Sequence, residues 1–582
     1  MQDSKTTKYC SVLALYGKGV VRGFAIGQAM VIGGAKVDIA HYRIPEEEIE
    51  KECQRLEYAC LQVHRELQDI LKQLPQDAPK EIAPLLTVHS LLLQDPMLLD
   101  ETKAIIKERQ YNAEWALKTQ ETLIAEKFSQ MSDEYLSERI SDIQQVVHRV
   151  ILFLTNKSST INPELFDEIR HPILVARDIS PADMIRLKDH DFSAFLTALG
   201  GATSHTAIVA RSMNIPAVVG MGEVQSLISD RDVLIVDGQK GLVIVNPTEE
   251  ILALYRHKKE AYDLQRRGLM AQKGAAITLD HQPIHLYANI EEPKEVDFAI
   301  EMGAEGIGLF RTEFLFMGRS ELPSEDEQFE AYRYVLERMG PERSVTIRTL
   351  DLGQDKNLDK SVSDDSDANA LGMRAIRYCL ARPEMFTKQL RALYRASVYG
   401  NLRVMFPMIS HITEVHAIVA LLKEVRVRLQ DEGVAFKKFQ IGAMVEVPAI
   451  ALAINSFLKQ LDFGSIGTND LIQYTMAIDR CDSQLASLYD PLHPGVLKLM
   501  WQTILAGERF SKPISVCGEM AGDPKYTKLL LGMGLKHFSM HANSFPEVRA
   551  IIQQSHTQHI RDIISNPLHD GEFIDLVQLG IA

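Results

Sequence analysis

Several groups capable of chemistry recur in this sequence at one kind of place, the polar end of a short apolar run. Arg311 follows G-I-G-L-F, and Arg348 sits in V-T-I-R-T-L-D. Glu446 follows I-G-A-M-V, Asn469 and Asp470 follow F-G-S-I-G-T, and Cys517 with Glu519 closes I-S-V-C-G-E. A guanidinium offers a rigid bidentate fork, so two converging arginines suit a phosphate or a carboxylate. Glu446 and Asp470 suit a hard divalent cation such as Mg²⁺ that also takes substrate oxygens. Each residue alone reads equally well as a salt-bridge partner or a loop anchor. Chemistry is favoured because basic, acidic and thiol groups all fall at the same end of successive runs.

A second focus is G-G-A-T-S-H-T-A, residues 200–207, between the apolar run F-L-T-A-L and the helix-like A-I-V-A-R-S-M-N. Gly200 and Gly201 permit a tight turn, and Thr203 or Ser204 can cap a helix, which places His205 in its first turn. Free N–H groups and the positive dipole end favour phosphate there, so the position suits a histidine that carries a phosphoryl group. A capping or core role is the ordinary alternative for any one of the 18 histidines. Ser204 beside His205 also invites reading as a hydrolase pair, but adjacent residues rarely act as nucleophile and base for each other.

The elements that must position these groups follow from periodicity. From Ala276 onward, eight strand-like runs (I-H-L-Y-A-N-I, G-I-G-L-F, V-T-I-R-T-L, L-R-V-M-F-P-M, I-G-A-M-V, F-G-S-I-G, I-S-V-C-G and H-F-S-M) are mostly separated by amphipathic stretches such as 325–339 and 412–430. That count predicts a (β/α)8 TIM barrel, whose active site lies at the C-terminal ends of its strands. Upstream, glycine-broken β runs occupy residues 19–32, and a helical block extends from Pro45 to Leu154, broken near Pro75–Pro84 and at Asp95-Pro96. Ile49, Cys53, Leu56, Cys60, Val63, Leu67 and Ile70 form a heptad stripe, so their helix packs lengthwise on another. Alternating β and α patterns return between Pro172 and Pro247. The fold class expected is therefore multidomain α/β. Residues 1–44 and 156–250 form an α/β domain with an all-helical insertion at 45–155, 251–275 form a linker helix, and 276–582 form the barrel.

At 582 residues the chain exceeds a single core. Its 46% hydrophobic and 24% charged content is globular. A net charge of −15 argues against nucleic-acid or anionic-membrane partners, and leaves an anionic substrate to a local basic cluster. The six cysteines show no C-x-x-C pair or zinc spacing, and no run has the length of a signal peptide or membrane span. The expectation is a cytoplasmic protein.

The long motifs G-G-A-T-S-H-T-A-I-V-A-R-S-M-N-I-P-A-V-V-G, G-A-E-G-I-G-L-F-R-T-E-F-L-F-M, G-S-I-G-T-N-D-L-I-Q-Y-T-M-A-I-D-R and S-V-C-G-E-M-A-G-D resemble those of the phosphoenolpyruvate (PEP)-utilising enzymes. The likeness covers essentially the whole chain and is nearest to the enzyme I branch, which serves the bacterial sugar phosphotransferase system. The resemblance implies that His205, supported by Thr206 and Ser180, takes the phosphoryl group of PEP and passes it to a histidine of the carrier HPr. Arg311, Arg348, Arg480, Asn469, Lys356 and Arg374 would bind PEP, and Glu446 with Asp470 would hold Mg²⁺. Cys517 would protonate the enolpyruvate carbon to release pyruvate, and an ordinary free thiol with a pKa near ~8.5 fits that role. The helical insertion would dock HPr around His89, Leu91, Leu92 and Arg139, the α/β domain would swivel between partners, and the barrel would form a homodimer.

Two departures from the family pattern stand out: Ala202 replaces a usual arginine, and Ala368-Asn369 replace a usual Asn-Pro before L-G-M-R. Pyruvate phosphate dikinase and phosphoenolpyruvate synthase share the histidine motif and the barrel but need an ATP-binding domain, for which the region before His205 is too short and too helical. A nitrogen-related enzyme I paralogue, expected to carry a further N-terminal sensory domain, is a near alternative. A non-catalytic regulatory phosphoprotein is a different class, and predicts erosion of the barrel-mouth residues.

Overall fold

The computed structural model describes residues 12–32, 41–72, 82–129, 134–155, 171–177, 192–199, 215–222, 224–271, 274–316, 322–352, 371–478 and 488–574, with Ile169, Ala210 and Leu485. It divides into two compact units, Met1–Leu264 and Gln265–Ala582.

The first unit holds an eight-stranded sheet made of β1 (Leu13–Tyr16), β2 (Lys18–Val21), β3 (Phe24–Ile32), β4 (Pro172–Ala176), β5 (Ala194–Thr197), β6 (Ala217–Val219), β7 (Val233–Asp237) and β8 (Leu242–Val245). Their order is β1-β8-β7-β3-β4-β5-β6-β2, with β3 to β6 parallel and the remaining pairs antiparallel. Strand alternation divides the buried side chains between two cores. Leu174, Ala176, Phe195 and Ala217 join the helices, whereas Ile173, Val175, Leu196 and Val218 join Leu234 and Val236 on the other face.

Between the neighbouring strands β3 and β4 run five helices, Ile49–Lys72, Ile82–Leu92, Pro96–Arg109, Ala113–Ser129 and Glu134–Leu154. The heptad stripe is inside: Cys53, Leu56, Cys60, Val63 and Leu67 are buried, and Ile49 and Ile70 are partly so. Burial pushes the Cys60 thiol up to about 12, which makes it an inert core group. Asp95 caps the third helix by accepting the Met97 N–H at 2.8 Å, with Pro96 in the first turn. A break at residues 110–112 was not expected, because no Gly or Pro marks it. Gln110 ends the helix at φ 57°, and a polar cluster holds the reversal: Asn112 Nδ2 donates to Glu114 at 2.8 Å, and Arg55 pairs with both Glu52 and Glu114. Helix Glu249–Ala271 follows β8, with Leu252 and Tyr255 packed on Ile235 and Ile244.

The second unit opens with β9 (Ala276–Ile277), then β10 (Pro283–Ile290), β11 (Ile307–Phe310), β12 (Ser344–Arg348), β13 (Asn401–Phe406), β14 (Gln440–Val445), β15 (Phe463–Ile466), β16 (Ile514–Val516) and β17 (His537–Met540). Strands β10 to β17 pair in chain order, all parallel, and β17 returns to β10. The eight runs read from the sequence are thus the eight strands of a closed (β/α)8 barrel. Helices Glu325–Met339 and Ile412–Asp431 lie where expected, the first started by a Ser324/Glu327 capping box. Odd and even strand positions separate again: Leu402, Val404 and Phe406 join the outer core, while Met405 joins Leu309, Met444, Phe463 and Cys517 in an inner plug.

Candidate active site

The plug closes the barrel beneath its C-terminal mouth, and the charged groups gather above it. Arg348 ends β12 and is 8% exposed. It donates to Glu313 at 3.0 Å, lies 2.9 Å from Asp351 and touches Met444 Sδ at 3.6 Å. Burial works against its charge, but Glu313, Asp351, Glu446 and Asp470 outweigh that and hold it protonated well above the usual range. Arg374 precedes helix Ala375–Ala381 and reaches Asp351 at 3.4 Å and the Tyr474 hydroxyl at 3.5 Å. Its pKa is raised in the same way, chiefly by Asp351 against burial. Asp351 is held below its ordinary value because Arg348 and Arg374 override the cost of burying it. Arg311, just past β11, pairs with Glu291.

Glu446 follows β14 and is fully buried. One carboxylate oxygen accepts the Met408 N–H at 2.5 Å; the other is buried with no hydrogen-bond partner among the described residues. Met408 adopts φ 55°, a conformation costly for a non-glycine residue, and so aims its N–H at this carboxylate. Burial, then Asp351 and Asp470, push Glu446 up to about 8. Asp470 lies in the first turn of helix Thr468–Met476, and a Cβ placed on Gly467 just before that helix would come within 3.2 Å of the unpartnered Glu446 oxygen. Asn469 and Glu519 clasp each other: the Asn469 amide donates to Glu519 at 3.2 Å, and the Glu519 N–H donates to Asn469 Oδ1 at 3.1 Å.

Cys517 is 4% exposed, and its thiol faces the Ile466 carbonyl at 3.6 Å. Burial pushes it up to about 11, against the opposing pull of the Ser465 hydrogen bond and of Arg348. The expectation of an ordinary thiol near ~8.5 is therefore corrected. This thiol keeps its proton throughout the neutral range.

Two further buried atoms at the mouth matter. Arg348 Nε and Arg374 Nε, like Glu446 Oε2, have no partner among the described residues, although buried polar groups are normally paired. Among the described residues, the carboxylates Glu291, Glu313, Asp351, Glu446 and Asp470 also outnumber the guanidiniums of Arg311, Arg348 and Arg374. A divalent cation at Glu446 and Asp470 fits the orphaned oxygen and would return the raised Glu446 carboxyl to its charged form.

The structure thus brings together Arg311, Arg348, Arg374, Glu446, Asn469, Asp470 and Cys517. His205, Thr206, Ser180, Lys356 and Arg480 lie outside the described residues, as do Ala202 and Ala368-Asn369, and so does the side chain of Arg139. In the helical block Leu91 is 63% exposed, whereas His89 and Leu92 are buried, and His89 lies 3.3 Å from Asp142. Sequence reasoning passed over Glu313, Asp351 and Tyr474. Their signal was position: Glu313 follows Arg311 by two residues and Asp351 follows Arg348 by three, both at strand ends.

Comparison with known proteins agrees with this geometry. The chain matches three family descriptions: PEP-utilising enzyme, N-terminal, over residues 16–139; mobile domain, over 169–241; and PEP-binding domain, over 266–557. A phosphoenolpyruvate-protein phosphotransferase of Cupriavidus necator is 45% identical over 566 residues, covering 95% of this chain and 96% of the relative. Proteins of the same name from Geobacillus stearothermophilus and Listeria innocua are 42% identical over 542 residues (93% of each chain) and 38% over 567 (97% and 98%). Three matched segments, relatives spanned almost end to end and a barrel mouth of arginine, carboxylate and thiol agree: the chain belongs to the PEP-utilising enzymes, in their phosphoenolpyruvate-protein phosphotransferase branch.

Proposed function

We propose that this chain transfers the phosphoryl group of PEP to its own His205 and then to a histidine of an HPr-type phosphocarrier, releasing pyruvate as the first step of a sugar phosphotransferase system. The observation that carries this reading is the convergence of Arg311, Arg348 and Arg374 with Glu446, Asp470 and Cys517 at one barrel mouth. Phosphoryl transfer depends on positioning and on neutralising charge. In this reading the guanidiniums exchange their carboxylate partners for substrate oxygens, with Arg480, Lys356 and Asn469 completing the binding set. Glu446 and Asp470 hold Mg²⁺, which when bound would neutralise charge on the substrate oxygens.

As the phosphoryl group leaves for the His205 ring nitrogen, the enolate of pyruvate is left beside a thiol that is protonated at neutral pH. Cys517 gives that proton to the methylene carbon. Thr206 and Ser180 support the phosphohistidine. The domain division 1–44 with 156–250, 45–155, 251–275 and 276–582 lets the histidine serve two partners by swivelling about the linker helix. The carrier docks on the helical insertion around His89, Leu91, Leu92 and Arg139, of which Leu91 is exposed and His89 and Leu92 are buried. The barrel forms a homodimer, and the protein works in the cytoplasm. Among the described residues no helix is long and apolar enough to cross a membrane.

The test is to incubate the whole chain with PEP labelled in its phosphoryl group and Mg²⁺, then to map labelled peptides under alkaline conditions. Label on the peptide bearing His205, discharged by added HPr, is the expected result. Label elsewhere, or a His205→Ala variant that still phosphorylates HPr, overturns the reading.

A further inference from the structure

Cys517 lies at the edge of the apolar plug with Leu309, Met405, Met444 and Phe463. A thiol that gives its proton to carbon must regain one before the next turnover. The strands provide a route from the other end of the barrel. Alternation along β16 puts Ser515 and Cys517 on the same inner face, since Ile514 and Val516 between and before them join the outer core. β15 and β16 pair in the register that sets Ser465 opposite Ser515. The Ser515 hydroxyl donates to Ser465 Oγ at 2.8 Å, and the same alternation sets Ser465 on the inner face beside Cys517, where its hydroxyl favours the thiolate; the protonated thiol itself donates to the Ile466 carbonyl at 3.6 Å. Ser465 is fully enclosed. Ser515, in contrast, lines a small, partly open recess with Tyr287, Thr346, Arg403 and His537 at the N-terminal end of the barrel.

We propose that Ser515 and Ser465 relay a proton from water in this recess to the Cys517 thiolate left behind when pyruvate forms, an inference that rests on the reading of Cys517 as the acid. In the first step the S–H bond breaks as the methyl C–H bond of pyruvate forms, leaving sulfur with the electron pair. The Ser465 proton then passes to sulfur, the Ser515 proton passes to the Ser465 oxygen, and a protonated water in the recess restores Ser515. One proton enters from solvent for each pyruvate, and nothing is oxidised or reduced. Satisfying the buried Ser465 hydroxyl would account for the bond between the serines. It does not account for the Ser515 hydroxyl lying at a partly open polar recess on the side of the thiol away from the charged mouth.

The experiment compares the first pyruvate with later ones, by rapid quench of the full-length enzyme with saturating PEP, Mg²⁺ and excess HPr. In Ser515→Ala the first pyruvate forms from a thiol already protonated, so it appears at the wild-type rate. Later turnovers slow by about 10²-fold, the lower end of the scale for losing one positioned proton donor. Ser515→Thr, which keeps the hydroxyl, restores them. Later turnovers at the wild-type rate in Ser515→Ala overturn the relay, and so does an equal slowing of first and later turnovers, which marks a packing role. Cys517→Ala keeps the two ideas apart. If that variant forms its first pyruvate at the wild-type rate, the acid assignment itself fails; if it stalls there while Ser515→Ala cycles freely, only the relay fails.

Discussion

At the C-terminal mouth of the barrel, Arg348 and Asp351 are buried against opposite charges, and Arg348 alone faces four carboxylates. At the N-terminal end of the same strands, Arg403 makes no salt bridge with any described residue and rests against the Phe463 ring at 5.9 Å. His537 beside it is pushed down to about 4 by burial, then by His285 and Arg403, and so stays neutral. The loops explain the contrast. Only the βα side supplies Glu291, Glu313, Asp351 and Asp470 from outside the strands, and a buried charge persists only where such partners exist. One end is therefore built to exchange internal ion pairs for a highly charged ligand, the other to hold a guanidinium among aromatic and polar side chains.

The sharpest way to break this comparison is at the boundary between the two ends. Cys517→Ala should lower pyruvate formation at saturating PEP by about 10²-fold or more, with the PEP KM nearly unchanged, because the lost group acts only on the transition state. Steady-state kinetics at varied PEP reads both values; a matching rise in KM would make the thiol a binding group instead. Next in size is Arg348→Met. It leaves Glu313 and Asp351 buried without their cation and should cost about 3–5 kcal/mol of barrel stability. Trp501 fluorescence during urea unfolding, in a Trp115→Phe background, measures this, since the chain has only two tryptophans. A loss below about 1 kcal/mol would mean that the mouth relaxes and lets water in.

The N-terminal end has its own signature in pH. With a folded pKa of about 4 against an ordinary value of 6.5, His537 binds its proton more readily in the unfolded chain. Its contribution is fully present above about pH 6.5 and fades as pH falls toward 4, by up to roughly 3 kcal/mol. His285 works in the opposite sense: its hydrogen bond to Glu305 raises it, so its contribution is complete below 6.5 and is lost as pH climbs through the raised value. Urea midpoints between pH 4 and 7 for wild type and His537→Asn separate the two. The variant should show the shallower acid loss, and parallel curves would show that His537 is already solvated.

The barrel was legible because each strand is a short apolar run with its functional residue at a fixed end, and that regularity places Arg311, Arg348, Glu446, Asp470 and Cys517 before any coordinates exist. Two kinds of information were not legible. Glu313 and Asp351 look like ordinary loop carboxylates, and only the fold sets them against Arg348. The raised Cys517 pKa depends on enclosure by Leu309, Met405, Met444 and Phe463, which come from four other strands. The helix break at 110–112 escaped for a related reason, since its signal is a polar cluster joining Arg55, Asn112 and Glu114 and not a breaker residue.

The smallest effect is the most direct check on the difference between the two ends. Arg403 and Arg348 both point into the barrel, yet Arg403 has no carboxylate to strand when it is removed. Arg403→Met keeps the aliphatic stem that packs on Phe463 and deletes a half-buried charge whose Nε already lacks a partner. Stability should therefore change by less than about 1 kcal/mol, the range of substitutions that break no buried network. Because Arg403 is one of the groups that depress His537, the variant should also move the onset of acid unfolding downward, as the histidine titrates nearer its ordinary value. Urea midpoints at pH 7 and pH 5 read both effects together. A large loss at pH 7 would show that the N-terminal end depends on its charge as the mouth does, and the contrast between the two ends would then fall.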